Sequence, residues 1–125
     1  EDEIDKINIL NASFLAMHRA IDRCGIAPEI ILVDGNRFNK YKEIPHECII
    51  KGDGKVACIA AASILAKTHR DHLMTAYNEQ YPGYGWSTNA GYPTKKHRAA
   101  IAELGITPIH RTTFQLLPKQ LELFK

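Results

Sequence analysis

The sequence predicts an α/β fold in which a short, mostly parallel sheet packs against several helices. Four consecutive apolar residues, Ile30 to Val33, are β-branched at three positions, which is typical of a strand buried on both faces. Apolar residues at helical spacing precede this run, and a segment that is apolar nearly all round follows it. A chain of 125 residues that is 45% hydrophobic has room for one core. We therefore expect residues 1–125 to form a single domain.

The first helix is predicted from a stripe of apolar residues separated by gaps of four and three. The stripe consists of Leu10, Phe14, Met17, Ile21 and Cys24. Asp5 is the candidate N-cap, and Gly25 suits the position just beyond the helix end.

A second short strand is predicted over Glu47–Lys51, after a polar loop at residues 36–45. The segment from Asp53 to Lys67 is apolar nearly all round, which predicts a buried helix. The helix then becomes amphipathic and ends before Pro82. Because two strands alone do not form a stable sheet, we interpret the sequence as an incomplete fold.

An aromatic loop is predicted over residues 81–94, followed by a helix that starts at Pro93 or Thr94 and ends at Gly105. A last short helix is predicted to open at Pro118. Four rings lie in the loop, namely Tyr81, Tyr84, Trp86 and Tyr92. They either pack the loop onto the domain or stack on sugars and bases beside the lysines that follow. Tyr92 is the best placed, because it directly precedes a helix N-terminus, which favours phosphate.

Charge and cysteine usage narrow the class of protein. Residues 1–50 hold 6 Lys and Arg against 9 Asp and Glu, whereas residues 51–125 hold 10 against 5, so the second half suits a polyanionic partner. No apolar run approaches the roughly 18 residues of a membrane span, and no basic segment opens a signal peptide. We expect a cytoplasmic protein with no membrane partner.

The three cysteines form no Cys-x-x-Cys pair and are expected to be reduced thiols in the core.

Two aspartates are candidates for chemistry. Asp34 follows the predicted buried strand, where sites gather in α/β sheets, so its carboxylate suits either a hard cation or the capping of an Asp-Gly turn. Asp53 precedes the predicted buried helix and suits either an N-cap or a second carboxylate at the same sheet edge. Asp71 is expected to form a structural pair with Lys67 or Arg70.

Basic clusters around His97 and His110 are most simply solvated faces, with phosphate contact as the alternative.

Eight short motifs occur together in this order. They are Ile4–Ile9, Val33–Asn36, Ile50–Asp53, Ala60–Lys67, His69–Asp71, Tyr81–Gly85, Gly91–Thr94 and His110–Phe114. Their order and spacing resemble bacterial ribonuclease HII over essentially the whole chain. The resemblance implies a ribonuclease H-like fold. It also implies an endonuclease that cuts the RNA strand of RNA–DNA hybrids and nicks duplex DNA 5′ to a single ribonucleotide.

The resemblance also implies the site residues. Members of the family hold Mg²⁺ or Mn²⁺ with four acidic residues, and Asp34 and Asp53 match the third and fourth. Tyr92 matches the tyrosine that packs on the deoxyribose following the ribonucleotide. Lys51, Ser63 and Lys67 are candidate phosphate contacts by position.

One departure from the family pattern is large. The opening Asp-Glu-Ala-Gly-Arg-Gly motif, with two of the four carboxylates, is absent, so we interpret the chain as a C-terminal fragment whose partner is the missing N-terminal segment. We expect the fragment alone to be inactive and to self-associate through exposed edges and apolar faces. The alternative is a non-catalytic module that binds nucleic acid or another protein.

Overall fold

The structure is a computed structural model, and it describes residues 2–112. Its elements in chain order are α1 (Asp2–Arg23), β1 (Ile31–Asp34), β2 (His46–Ile49), a 3-10 turn (Gly52–Gly54), α2 (Ala57–Gln80), α3 (Trp86–Asn89) and α4 (Lys95–Leu104). The α/β class is confirmed. The helix expected at Pro118 lies outside the described residues.

The chain divides into two compact units. The strand unit comprises Lys6–Lys67, and the aromatic unit comprises, of the described residues, 2–5 and 68–112. The boundary falls within α1 and within α2. The expectation of one domain over residues 1–125 stays a prediction.

The sheet of the strand unit is the expected parallel pair. β1 and β2 run in register from Ile31 opposite His46 to Asp34 opposite Ile49. In β1, however, only Val33 is buried, and Ile30 just before the strand is 50% exposed. The expectation of a strand buried on both faces is therefore wrong for this structure, because residues 2–112 supply only these two strands.

Helix α1 is interrupted at Asn8, whose backbone is not helical (φ 67°, ψ 165°). The Asn8 side-chain oxygen accepts a hydrogen bond from the Asn11 amide at 3.1 Å, which is the geometry of an N-cap. The expected cap, Asp5, instead pairs with Arg111 at 2.9 Å. Of the predicted apolar stripe only Phe14 is buried, and its ring meets that of Phe38 edge-on.

Helix α2 begins at Ala57 and ends at Gln80, before Pro82 as expected. Its first half was expected to be buried, and this is wrong. Ile59 is 7% exposed, whereas Ile64 and Leu65 are 64% and 73% exposed. The composition of this first half is that of a covered element, but within residues 57–67 only Ile59 is buried.

The core of the aromatic unit consists of four buried side chains, Met74, Tyr84, Trp86 and Ile101. Tyr84 and Trp86 stack with ring centroids 4.9 Å apart, and Tyr81 packs against the same cluster. The packing interpretation is therefore correct for these three rings, and the stacking interpretation is wrong for Tyr84 and Trp86. The expected loop also contains one helical turn, α3.

The ends of α4 agree with the sequence. The Thr94 hydroxyl accepts from the His97 amide at the start of the helix, and Gly105 follows its last residue. His97 and His110 were expected on a solvated face, which is wrong. Both are buried, and their rings stack 5.5 Å apart beside Trp86. Because lysines and arginines flank both histidines in the sequence, the local pattern does not reveal that His97 and His110 are core positions.

The three cysteines are free, as expected, but Cys24 and Cys58 are exposed rather than in the core. Their predicted burial is wrong because the segments that carry them are largely uncovered. Over residues 2–112, no helix combines the length and apolar character needed to cross a membrane.

Candidate functional site

Asp34 is the last residue of β1, and its exposed carboxylate lies at the carboxyl end of the parallel pair. The Gly52 amide donates a hydrogen bond of 2.8 Å to Asp34 Oδ1. One oxygen is thus fixed by the backbone of the neighbouring turn. Among the described residues, the other carboxylate oxygen has no hydrogen bond.

The turn that supplies this amide lies close against the strand. A Cβ placed at Gly52 would lie 3.5 Å from the Asp34 Cα, 3.4 Å from the Ile49 Cβ and 2.8 Å from the end of the Ile59 side chain. Gly52 is buried at this position. Its lack of a side chain lets the 3-10 turn approach β1 without displacing Ile59. The role of Gly52 was not predicted, although a glycine between a strand and a helix is a signal of close backbone approach.

Asp53 lies within the 3-10 turn, one residue beyond the amide that holds Asp34. Its Oδ1 accepts from the Gly54 amide at 2.9 Å. The N-cap interpretation of Asp53 is wrong, because α2 starts at Ala57 and the Asp53 carboxylate bonds within its own turn. The Asp53 side chain is exposed, so its carboxylate is open to solvent.

The structure therefore brings Asp34 and Asp53 to one edge of the sheet. Carboxylate oxygens suit hard divalent cations, and Mg²⁺ is often held by one or two carboxylates together with substrate phosphates. The carboxylates of Asp34 and Asp53 suit such an ion, although two carboxylates are a small set of ligands. Residues 2–112 contain no group of three or more His, Cys, Asp or Glu side chains placed to hold a metal.

The three candidate phosphate contacts belong to the strand unit. Lys51 is exposed, has a left-handed backbone (φ 55°) and directly precedes the turn that holds Asp34. Ser63 and Lys67 are exposed and lie four residues apart on α2, so they share one face of the helix. The Ser63 hydroxyl donates to the Ala60 carbonyl of the same helix at 3.2 Å.

Tyr92 belongs to the aromatic unit and is 65% exposed, in contrast to the other loop rings. It sits two residues before the Thr94 cap of α4. Its amide donates to the Asn89 carbonyl at 2.9 Å. The Arg70 guanidinium lies 5.8 Å from the centre of its ring. The sequence singled out Tyr92 but not Arg70, whose neighbours come from a turn 20 residues later in the chain.

Asp71 is half-buried on α2, and its carbonyl accepts from the Thr75 hydroxyl. Its expected pairing with Lys67 or Arg70 stays a prediction.

Comparison with known proteins identifies the family. The model of the Ribonuclease HII family matches residues 1–117. A Ribonuclease HII of Bacteroides thetaiotaomicron is 66% identical over 116 residues, which are 93% of this chain and 58% of the relative. One of Bacteroides fragilis is 65% identical over 124 residues, which are 98% of this chain and 62% of the relative. One of Christiangramia forsetii is 62% identical, over 97% of this chain and 61% of the relative. The chain thus spans about 60% of the length of these relatives, and it belongs to the ribonuclease HII family.

Proposed function

We propose that this chain carries part of the active site of an endonuclease that hydrolyses the RNA strand of RNA–DNA hybrids. We further propose that the enzyme nicks duplex DNA 5′ to a single ribonucleotide. We also propose that it acts in the cytoplasm. Family membership and the names of the relatives support a ribonuclease. The observation that carries the assignment to residues is the hydrogen bond from the Gly52 amide to Asp34. It joins the two acidic motifs of the family at one sheet edge.

Asp34 and Asp53 are proposed as metal-binding carboxylates. When bound, Mg²⁺ or Mn²⁺ supplies an activated water and neutralises charge on the phosphate in an in-line displacement. Asp34 offers one oxygen outward while the Gly52 amide fixes the other, so the carboxylate is oriented before any ion binds. Asp53 has the same arrangement with the Gly54 amide. The products of this cleavage carry a 3′-hydroxyl and a 5′-phosphate.

Two carboxylates hold less charge than the four that the family pattern implies. We propose that the acidic pair of the family's opening motif completes the metal site in the whole enzyme. The relatives have about 40% of their length outside the match, which is enough chain to supply that pair.

Substrate contacts are assigned by position and exposure. Lys51, Ser63 and Lys67 are proposed to contact phosphates, since lysines lower the cost of bringing the polyanion to the carboxylates. Tyr92 is proposed to pack on the deoxyribose that follows the ribonucleotide. Its exposed ring supports this role, because the buried rings of the same loop have no free face to offer.

A chimaera tests the proposal. The chain is joined to the part of the Bacteroides fragilis relative that lies outside the match, and it is incubated with a labelled duplex carrying one ribonucleotide. We expect Mg²⁺-dependent nicking on the 5′ side of that ribonucleotide. Asp53→Asn should reduce the rate about 100-fold or more, because it removes charge where the phosphate reacts. Glu47→Gln, which removes an exposed carboxylate from β2, is the matched control and should leave the rate unchanged.

Binding of the duplex without any cutting by the chimaera would contradict the proposal and favour a non-catalytic module. Full activity of Asp53→Asn would leave the ribonuclease intact but refute the role of Asp53.

A further inference from the structure

The turn that presents Tyr92 has an unusual backbone. Ala90 and Gly91 both have positive φ, at 48° and 83°. An alanine in the left-handed region is disfavoured, and such a conformation persists only where the surroundings hold it. The residues that hold this turn therefore decide where the Tyr92 ring points.

Two side chains hold the turn. Asn89 accepts from the Gly91 amide at 2.8 Å and donates through Nδ2 to the Tyr84 carbonyl at 2.8 Å. Arg70 on α2 donates through Nη2 to the Ala90 carbonyl at 2.9 Å. The Asn89 contacts tie the turn to its own loop, whereas the Arg70 contact ties it to α2.

The Arg70 guanidinium also supports the ring. It lies 5.8 Å from the Tyr92 ring centre, within the range of a cation–π contact. A Cβ at Gly91 would lie 3.3 Å from Arg70 Nη2 and 3.2 Å from Met74 Cε. Gly91 thus leaves room for the guanidinium beneath the turn. Since Tyr92 is 65% exposed, little core packing competes with Arg70 in orienting the ring.

We propose that Arg70 is a positioning residue for Tyr92, fixing the Ala90 carbonyl and the ring so that the ring meets the sugar at an RNA–DNA junction in one orientation. This inference rests on the proposed function of Tyr92. Arginine suits the task better than lysine, because its planar fork donates to the carbonyl while presenting a flat cation near the ring.

The test uses the active chimaera and two substrates, a duplex with a single ribonucleotide and a long RNA–DNA hybrid. The readout is the ratio of kcat/KM on the first to that on the second. Arg70→Gln is expected to lower this ratio by about 3- to 10-fold, and Arg70→Lys by less. Arg23→Gln removes an exposed arginine from the end of α1 and is the matched control, with no change expected.

A double-mutant cycle separates positioning from an independent role. In the Tyr92→Ala background, Arg70→Gln should lower the ratio no further, because the group that Arg70 positions is gone. A further loss equal to that seen in the single variant would overturn the inference. So would an unchanged ratio in Arg70→Gln when Tyr92→Ala lowers it.

A second measurement does not depend on activity. Hydrogen exchange at the Gly91 and Tyr92 amides should speed up in Arg70→Gln, because the turn loses its hydrogen bond to α2, and should stay unchanged in Arg23→Gln. Unchanged exchange in Arg70→Gln would overturn the positioning role. An unchanged cleavage ratio in Tyr92→Ala, with faster exchange in Arg70→Gln, would instead show that the proposed function of Tyr92 has failed.

Discussion

Asp34 and Asp53 each have one carboxylate oxygen bonded to a backbone amide of the same short turn. Replacing aspartate by asparagine therefore removes the negative charge but keeps a side-chain oxygen that can accept this hydrogen bond. In Asp34→Asn the side-chain oxygen still accepts from the Gly52 amide, so we expect the fold to be retained. Cleavage by the chimaera should fall by about 100-fold or more, because one of the two negative charges proposed to hold the metal is lost. Steady-state rates in Mg²⁺, with circular dichroism to verify folding, check this prediction. Turnover like that of the unmodified chimaera would contradict it.

His110 provides a pH-dependent prediction. The Thr107 amide donates to His110 Nδ1 at 2.9 Å, so the neutral ring carries its proton on Nε2, which is buried and has no hydrogen-bond partner among the described residues. Burial lowers the pKa of His110 below its ordinary 6.5, and the neighbouring His97 lowers it further. The hydrogen bond with the Thr107 backbone raises the pKa and offsets part of this lowering.

Because the pKa of His110 is lower in the folded chain than in the unfolded chain, stability depends on pH. The unfolded chain takes up the proton near pH 6.5 and the folded chain only at lower pH. The contribution of His110 to the free energy of unfolding is therefore complete above about pH 6.5. It decreases as the pH drops from there toward the pKa of His110 in the folded chain. In His110→Asn, whose amide oxygen can replace Nδ1 as the acceptor, this loss should be smaller. Thermal melts between about pH 7 and pH 5 test it, with the exposed His69→Asn as control. An equal loss in His110→Asn and the unmodified chain would contradict the prediction.

At the scale of elements, α2 carries apolar residues in two different environments. Ile59 is 7% exposed and lies against Gly52, whereas Leu65 is 73% exposed. Ile59→Ala should lower the free energy of unfolding by about 2–4 kcal/mol, because it leaves a cavity beneath the turn that holds Asp34. Leu65→Ala should change it by less than about 0.5 kcal/mol. Urea unfolding measured by circular dichroism compares the two. Equal costs would mean that Leu65 is covered in solution.

The elements were predictable wherever local chemistry decides them. The β-branched run gave β1, Pro82 ended α2, and Thr94 with Gly105 bounded α4. Their burial was not predictable, because it depends on which other elements cover them, as Ile64 shows. The candidate aspartates were predictable from the acidic motifs. The contact of Gly52 with Asp34 and that of Arg70 with Ala90 were not, since each joins residues about 20 positions apart.

At the scale of the whole molecule, exposed apolar residues favour association of the 125-residue chain with itself. Ile30, Ile50, Ile64 and Leu65 of the strand unit are each at least half exposed. Within residues 2–112, each strand of the two-stranded sheet pairs on one edge only. Open edges and apolar surface recruit other chains, at roughly 25 cal/mol for each Å² buried.

We therefore expect the mass measured by light scattering to rise with protein concentration. The double variant Ile64→Lys and Leu65→Lys should shift that rise to higher concentration, because it places charges on the exposed face of α2. A monomeric mass across the whole concentration series would contradict the prediction.

We expect the 125-residue chain by itself not to cleave an RNA–DNA hybrid, even in millimolar Mg²⁺ or Mn²⁺. Asp34 and Asp53 contribute two negative charges, and residues 2–112 contain no cluster of three potential metal ligands. Any ion should therefore bind weakly and in a poorly defined position. Position matters as much as charge, because in-line attack requires the phosphate and the water to be held together.

The basic second half of the chain should still bind the hybrid weakly, and added salt should weaken that binding. Adding the unmatched part of the Bacteroides fragilis relative, as a separate polypeptide or joined to the chain, should restore metal-dependent nicking. The assay is a labelled duplex with one ribonucleotide, incubated with the chain alone and with the complemented pair. Nicking 5′ to the ribonucleotide by the chain alone, abolished by Asp34→Asn, would show that these two carboxylates suffice for catalysis.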